Sequence, residues 1–78
     1  MYQELIEMIN KDCLVIGGYD HFLLKEIFTE FCHRHRIRPN TPTWLYLVDE
    51  LWCSLDHSIR LDFFSEEEFD SWLKDYFI

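Results

Sequence analysis

The segment FSEEEF, residues 64–69, constrains the fold of this 78-residue chain more than any other stretch. A serine followed three residues later by a glutamate forms a capping box, in which Ser65 accepts from the Glu68 N–H and the Glu68 carboxylate reaches back. Phe64 and Phe69 are spaced to pack together as a hydrophobic staple. The sequence therefore predicts a helix that begins after Ser65. Its buried face is formed by apolar side chains at helical spacing, namely Phe69, Trp72, Leu73, Tyr76 and Phe77.

Two further helices are predicted from caps followed by apolar residues at helical spacing. Asp20 caps a second helix, and Thr41 caps a third, whose first residue, Pro42, needs no hydrogen-bond donor there. The third helix runs to about Leu55 and should be the most buried. The apolar stripe of the second helix contains Leu24, Ile27, Phe28, Phe31 and Cys32. The stripe of the third contains Trp44, Val48, Leu51, Trp52 and Leu55, widened by Leu45 and Leu47.

The first helix has two possible ends. Its apolar side contains Leu5, Ile6, Ile9, Cys13 and Ile16, and Gly17-Gly18 can stop the helix after that point. Alternatively, Asn10-Lys11-Asp12 permits a break, after which residues 13–16 form a short strand. We therefore expect an all-α domain over residues 1–78, a compact bundle of four short helices. The alternative is an α+β fold with a small two-stranded element from residues 13–16 and 58–63, because Ile59, Leu61 and Phe63 alternate.

Composition limits the classes to which the chain can belong. A domain this small buries only about 60–65% of its surface, but seven Phe, four Tyr and three Trp allow either a dense core or an interface. The first ten residues do not have the pattern of a secretion signal, so none is expected, and no apolar run reaches the length of a membrane span. Three cysteines at irregular spacing are typical of reduced thiols. We expect a soluble cytoplasmic protein that does not bind membranes.

The segment FCHRHRIRP, residues 31–39, raises the question of a metal site. Cys32 and His35 are three residues apart, and Cys53 and His57 are four apart, which are spacings that zinc ligands use. In an antiparallel helical hairpin, however, Cys53 lies about 15 Å from Cys32. We therefore expect no metal or other cofactor, with Cys32 buried and Cys53 exposed. His35 is expected near the centre of the second helix's apolar stripe, hydrogen-bonded at the helix end.

Direct binding to nucleic acid is not expected, although three arginines form a secondary basic patch at Arg34, Arg36 and Arg38. In a helix–turn–helix reading the third helix would enter the DNA groove. That helix carries Asp49 and Glu50 and no basic residue, so phosphates would repel it. Cations at the end of the second helix instead stabilise its dipole.

An enzyme is not expected either. The acidic residues that adjoin one another are typical of a solvated surface, and the Cys53–His57 pair has no evident orienting group. The chain has no glycine-rich phosphate loop. A substrate cleft is also hard to build from a chain of this size.

Charge is distributed unevenly along the chain. Residues 1–48 carry six acids and five bases, a net charge of -1, whereas residues 49–78 carry nine acids and two bases, a net charge of -7. If the helices alternate in direction, the arginines and most of these acids lie at opposite ends. We call one group the acidic pole: Asp56, Asp62, Glu66, Glu67 and Glu68. With Asp49 and Glu50, these are the predicted partner-binding residues. The alternative is that the acids sit at helix N-termini for local reasons.

These features predict a small acidic, non-catalytic protein that binds a macromolecular partner stoichiometrically. Inhibitors, immunity-type or antitoxin-like factors and adaptors fit this description. Clustered carboxylates satisfy the same cations as phosphates, so the partner is expected to be a protein with a basic, possibly nucleic-acid-binding, surface. Alternatively, exposed aromatic side chains drive homodimerisation and the acidity confers only solubility. A small enzyme or a zinc-binding domain is the third hypothesis.

Overall fold

The structure, a computed structural model, describes residues 2–15, 18–55, 60–63 and 65–75. This part of the chain forms a small helical bundle, which confirms the all-α prediction, and adds one very short antiparallel ribbon. In chain order the elements are α1 (Gln3–Asp12), β1 (Leu14–Val15), β2 (Gly18–Tyr19), α2 (His21–Arg34), α3 (Pro42–Ser54) and α4 (Glu66–Lys74).

Three helices begin at the caps that the sequence predicts. The side chain of Asp20 accepts a hydrogen bond from the N–H of Leu23 at 3.0 Å. The hydroxyls of Thr41 and Ser65 each accept from the N–H three residues later, at 3.2 Å. Each cap satisfies a backbone donor that has no partner within its own helix. The predicted partner of the hydrophobic staple, Phe64, lies outside the described residues.

The predicted continuation of the first helix to Ile16 is wrong, because α1 ends at Asp12 and a strand follows. The predicted partner of that strand is also wrong. In the ribbon Leu14 pairs with Tyr19 and Val15 with Gly18, and the Asp20 N–H donates to the Cys13 carbonyl at 2.8 Å. A hairpin between neighbouring segments closes a much shorter loop than pairing with residues 58–63, so it loses less chain entropy. Of that second segment, residues 58 and 59 lie outside the description, and residues 61–62 form a turn.

The helices alternate in direction along the bundle. Tyr2, just before α1, packs its ring 6.0 Å from Phe31 at the far end of α2. At the other end of α1, the Asn10 amide donates to the Ser54 carbonyl at 3.2 Å, so α1 runs alongside α3 in the same direction. The Trp44 indole, in the first turn of α3, donates to Asp70 in α4, and Asp49, farther along α3, lies beside Glu66 at the start of α4. Helices α3 and α4 are therefore antiparallel. The beginnings of α2 and α4 therefore lie at the same end as the end of α3.

The core is centred on α3, as the sequence predicts. Trp44, Leu47 and Leu51 are completely buried, and the Trp44 ring packs edge-on against Phe28 at 5.2 Å. One predicted member of this stripe is misplaced, because Leu45 is 53% exposed. Leu45 follows Trp44 directly and is rotated about 100° from it around the helix, which carries it beyond the area that the neighbouring helices cover. The buried cluster contains Leu5, Ile6, Ile9, Cys13, Leu24, Phe28, Cys32, Ile37, Trp44, Leu47, Val48, Leu51, Leu55, Phe69 and Leu73.

Helix α2 ends in a Schellman motif. The Ile37 N–H donates to the Cys32 carbonyl at 2.8 Å, and the Arg36 N–H donates to the His33 carbonyl at 3.3 Å. Arg36 has a φ of 56°, in the left-handed region that glycine usually occupies at this position. Ile37 and Cys32 are both buried, which provides the apolar contact that accompanies the motif.

The predicted position of His35 in the apolar stripe is wrong. His35 is the C-cap of α2 and is exposed, with its ring 4.3 Å from that of Phe31. The helix stops one residue earlier, so the 3.6-residue repeat no longer determines where His35 points. Its backbone N–H donates to the Phe31 carbonyl at 3.0 Å, a bond that any residue other than proline could make at this position.

Candidate functional site

Two carboxyl groups from different helices meet on the surface between α3 and α4. The side chains of Asp49 and Glu66 lie within hydrogen-bonding reach of each other. The pKa of Glu66 is raised, first by partial burial, then by the hydrogen bond to Asp49 and by its charge, and further by the charges of Glu67 and Asp70. Two carboxyl groups can share a hydrogen bond only when one of them is protonated. When both are ionised at neutral pH they repel each other.

Three other predicted acids lie either beside this pair in α4 or on the opposite side of α3. Glu67 and Glu68 are exposed in the first turn of α4, where the helix dipole favours negative charge. Glu50 faces away from α4 and, with Tyr2 and Tyr46, lines a shallow cavity of about 250 Å³ between α1 and α3. The predicted acids therefore flank α3 on two sides.

Asp62 takes a different role from the rest of the acidic pole. Its Oδ2 lies 2.7 Å from Nε2 of His21, the first residue of α2. The His21 ring in turn lies 6.0 Å from the ring of Phe63 and 6.2 Å from that of Trp72. Asp62 therefore joins the segment before α4 to the start of α2. The remaining member of the pole, Asp56, lies outside the described residues.

The secondary basic patch is not a uniform surface. Arg34 bonds to Glu30 one helical turn earlier, at 3.0 Å. Arg36 and Arg38 are exposed beyond the end of α2, and together with Cys32, Ile37 and Pro39 they line an open cavity of about 850 Å³. The patch thus provides one arginine in a local ion pair and two that border this cavity.

The three cysteines are free thiols with different exposure. Cys53 is exposed and Cys32 is buried, and both findings confirm the sequence prediction. Burial raises the pKa of Cys32 to about 12 and is the main cause that raises the pKa of Cys13 to about 11. Both thiols therefore remain protonated at neutral pH, which makes them poor nucleophiles and poor metal ligands. His57, the predicted neighbour of Cys53, lies outside the description.

Residues 2–15, 18–55, 60–63 and 65–75 contain no cluster of three or more His, Cys, Asp or Glu placed to hold a metal ion. Within the same ranges, none of the helices has both the length and the apolar character needed to cross a membrane.

Sequence reasoning missed two exposed apolar residues and a buried lysine. Leu45 and Tyr46 are 53% and 57% exposed on α3. The sequence could have indicated this exposure, because Leu45 and Tyr46 each lie four residues before an acid, Asp49 or Glu50, and residues four apart share a helix face. Lys25 is only 8% exposed, and its Nζ lies 3.5 Å from Asp75 and 4.8 Å from the centre of the Trp72 ring. Its stem packs against the bundle while its charge is paired.

We expect Asp49→Asn to stabilise the fold at pH 7 by about 0.2–1 kcal/mol, the range of exposed charge pairs. Folding raises the pKa of Glu66 above its ordinary value of 4.5. The protonated Glu66 therefore stabilises the fold below pH 4.5, and this contribution is lost as the pH rises through the pKa of the folded state. Asparagine removes the repulsion and can still donate to Glu66. Urea melts at pH 7 and pH 3.5 measure the gain, which should vanish at the lower pH.

The matched control for this prediction is Glu50→Gln, which removes a neighbouring charge that faces the other side of α3. It should produce no gain that depends on pH in the same way. A loss of stability in Asp49→Asn at pH 7 would contradict the prediction, because it would mean that the Asp49 charge makes a net stabilising contact.

Comparisons of the chain with protein-family models, with curated proteins and with solved structures found no match.

Proposed function

We propose that this protein acts by stoichiometric binding, presenting the acidic surface around Glu66 to a basic surface of a protein partner. The observation that carries the proposal is the Asp49–Glu66 pair, in which an exposed carboxyl group of α3 lies within hydrogen-bonding reach of a half-buried carboxyl group of α4. A partner's lysine or arginine placed between them would replace repulsion by two charge-assisted hydrogen bonds. Binding would thus release an unfavourable interaction that the free protein carries.

Two lysines of the bundle are paired with acids of α4 and its C-cap. Lys74 bonds to Asp70 at 2.6 Å, one turn earlier in α4. Lys25 lies 3.5 Å from Asp75. Residues 49–78 nevertheless carry a net charge of -7, which attracts a basic surface.

Among stoichiometric binders, the chemistry favours an inhibitor, an immunity-type or antitoxin-like factor, or an adaptor. Carboxylates on a rigid helical surface can occupy the cationic groups that a nucleic-acid-binding protein uses for phosphates. Mimicry of nucleic acid is therefore the most direct route to inhibition. A catalytic role receives no support from the buried thiols, whose raised pKa keeps them protonated.

The test of this proposal is a charge reversal, Glu66→Lys with Glu67→Lys, on the full chain. We expect the association rate with a partner isolated by pull-down to fall by about tenfold or more at low salt, because the attraction that guides encounter is lost. The wild-type rate should itself fall as salt rises. Since lysine in the first turn of α4 opposes the helix dipole, the unfolding free energy must be measured for the same variant.

The matched control reverses two charges at the other end of the molecule, Arg34→Glu with Arg36→Glu. The proposal fails if this control abolishes binding while the glutamate reversals leave the salt-dependent affinity unchanged. It also fails if wild-type association shows no dependence on salt.

A homodimer is the second candidate, and exposed apolar side chains favour it. Four of these residues are more than half exposed, namely Phe22, Leu45, Tyr46 and Leu61. Of the four, Leu45 and Tyr46 adjoin each other in α3, and adjoining exposed apolar side chains are the part of this set that suits an interface. Sedimentation across a concentration series distinguishes the two candidates, because only the homodimer gains mass without a partner.

A further inference from the structure

We infer that the outer face of α3 is the docking surface for a cationic amphipathic helix of the protein partner. Leu45 and Tyr46 are the apolar anchors, and Asp49 and Glu50 are the charges that fix the orientation of the bound helix. The inference rests on the proposed function and deepens it by naming the apolar contacts and the shape of the occupant.

Helical geometry places the anchors and the charges in two parallel rows. Leu45 and Asp49 are four residues apart, as are Tyr46 and Glu50, so each apolar side chain adjoins an acid on the same face. Both apolar residues are more than half exposed although they sit in a 13-residue helix whose other side is the centre of the core. A helix face that joins exposed apolar residues to acids on a rigid element suits partner binding better than a purely solvated face.

The position of Tyr46 is supported by a second aromatic ring. The rings of Tyr2 and Tyr46 lie 6.0 Å apart at an interplanar angle of 51°. A tyrosine held in this way loses little conformational entropy when a partner binds, and tyrosine is enriched among the residues that dominate binding energy. The adjoining cavity of about 250 Å³ is smaller than a typical small-molecule site, so it suits one side chain of a partner.

The distribution of charge selects the kind of partner. On one flank Asp49 meets Glu66 of α4, and on the other Glu50 borders α1. No lysine or arginine occurs in α3. An amphipathic helix that lays an apolar stripe along Leu45 and Tyr46 brings its own flanking lysines or arginines to both acidic flanks.

The same charges argue against other occupants. A symmetric dimer through this face would bring the acids of two copies into one interface, where α3 has no lysine or arginine to pair with them. Nucleic acid would be repelled by the same carboxylates. A heterologous basic helix is the occupant that satisfies both the apolar and the acidic parts of the surface.

The experiment uses two synthetic peptides of identical composition. In one, leucines form one face of a helix and lysines the other; in the second, the same residues are scrambled so that no apolar face forms. Each is titrated into the full chain while backbone amide shifts are recorded by NMR. We expect the amphipathic peptide to bind more tightly by about tenfold or more, with the largest shifts in α3.

Three double variants locate the contact. Leu45→Ser with Tyr46→Ser should weaken binding of the amphipathic peptide by about tenfold or more and leave the scrambled peptide unaffected. Asp49→Asn with Glu50→Gln should weaken binding of both peptides and reduce its salt dependence. Met8→Ser with Leu61→Ser removes exposed apolar side chains elsewhere and should change neither affinity. Circular dichroism confirms that each variant remains helical.

Several results would overturn the inference. Equal affinity for both peptides, with shifts centred on Glu66 and Glu67, would leave attraction between charges as the only cause of binding; the proposed function would then stand without the apolar anchors. Failure of both peptides to bind would remove this docking surface, and the charge reversals with the isolated partner would decide the proposed function separately. A concentration-dependent dimer that Leu45→Ser with Tyr46→Ser converts to a monomer would assign the face to self-association.

Discussion

Replacing Trp44 by alanine is expected to lower the free energy of unfolding by about 3–5 kcal/mol. Trp44 is completely buried in the first turn of α3, packs edge-on against Phe28, and donates its indole N–H to Asp70 of α4. Alanine leaves a cavity among three helices and removes the hydrogen bond between α3 and α4. A domain of this size has a total stability of about 4–12 kcal/mol, so the expected loss is a large fraction of the total. Urea denaturation followed by circular dichroism measures the loss.

The companion variant Trp44→Phe separates packing from hydrogen bonding. Phenylalanine keeps an aromatic ring against Phe28 but has no N–H for Asp70, which remains paired with Lys74 at 2.6 Å. We expect a smaller loss than for alanine, because most of the buried area remains. Equal losses for the two variants would contradict this account, because the hydrogen bond would then carry the whole effect.

Phe69→Ala is the second large effect, with an expected loss of about 3–5 kcal/mol in the free energy of unfolding. Phe69 is completely buried at the start of α4, where its ring lies 5.1 Å from that of Phe63, 5.4 Å from that of Trp52 and 6.1 Å from that of Trp72. Removal of this ring leaves three other aromatic side chains without their shared contact. Thermal and urea unfolding both report the loss.

Phe22→Ala is the matched control for this prediction. It deletes the same side chain at a position that is 64% exposed, so the change in stability should stay within about 0.5 kcal/mol. If the two phenylalanine variants lose stability equally, burial of the ring is not the source of the effect at Phe69.

The parts of the fold that the sequence predicts correctly depend on short-range interactions. Asp20, Thr41 and Ser65 each bond to a backbone N–H three residues later, so the cap is readable from a few neighbouring letters. The end of α1 depends instead on a ribbon that involves Gly18 and Tyr19, whose pairing no local pattern specifies. The exposure of Leu45 depends on how much of α3 the other helices cover, which is a property of the assembled bundle.

The same distinction between local pattern and packing applies to the candidate site. Charge counting alone selects Asp49 and Glu66 as partner-binding residues, but their proximity follows from the antiparallel packing of α3 and α4. Asp62 is selected by the same counting, although its carboxylate lies 2.7 Å from His21. Helical spacing would have paired Leu45 with Asp49, but only the packed structure shows that Leu45 is uncovered.

The Schellman turn after α2 allows surface charge to be substituted more independently there than on the acidic surface around Glu66. Its closing hydrogen bonds join backbone atoms only, so the side chain at Arg36 can change its charge without altering the turn, provided that the residue tolerates a positive φ. Glycine and asparagine meet that condition easily. A substitution at Asp49, by contrast, changes the ionisation of Glu66 at the same time. The charge at position 36 can therefore change without affecting a neighbouring group, whereas a single substitution at position 49 alters two groups of the acidic surface.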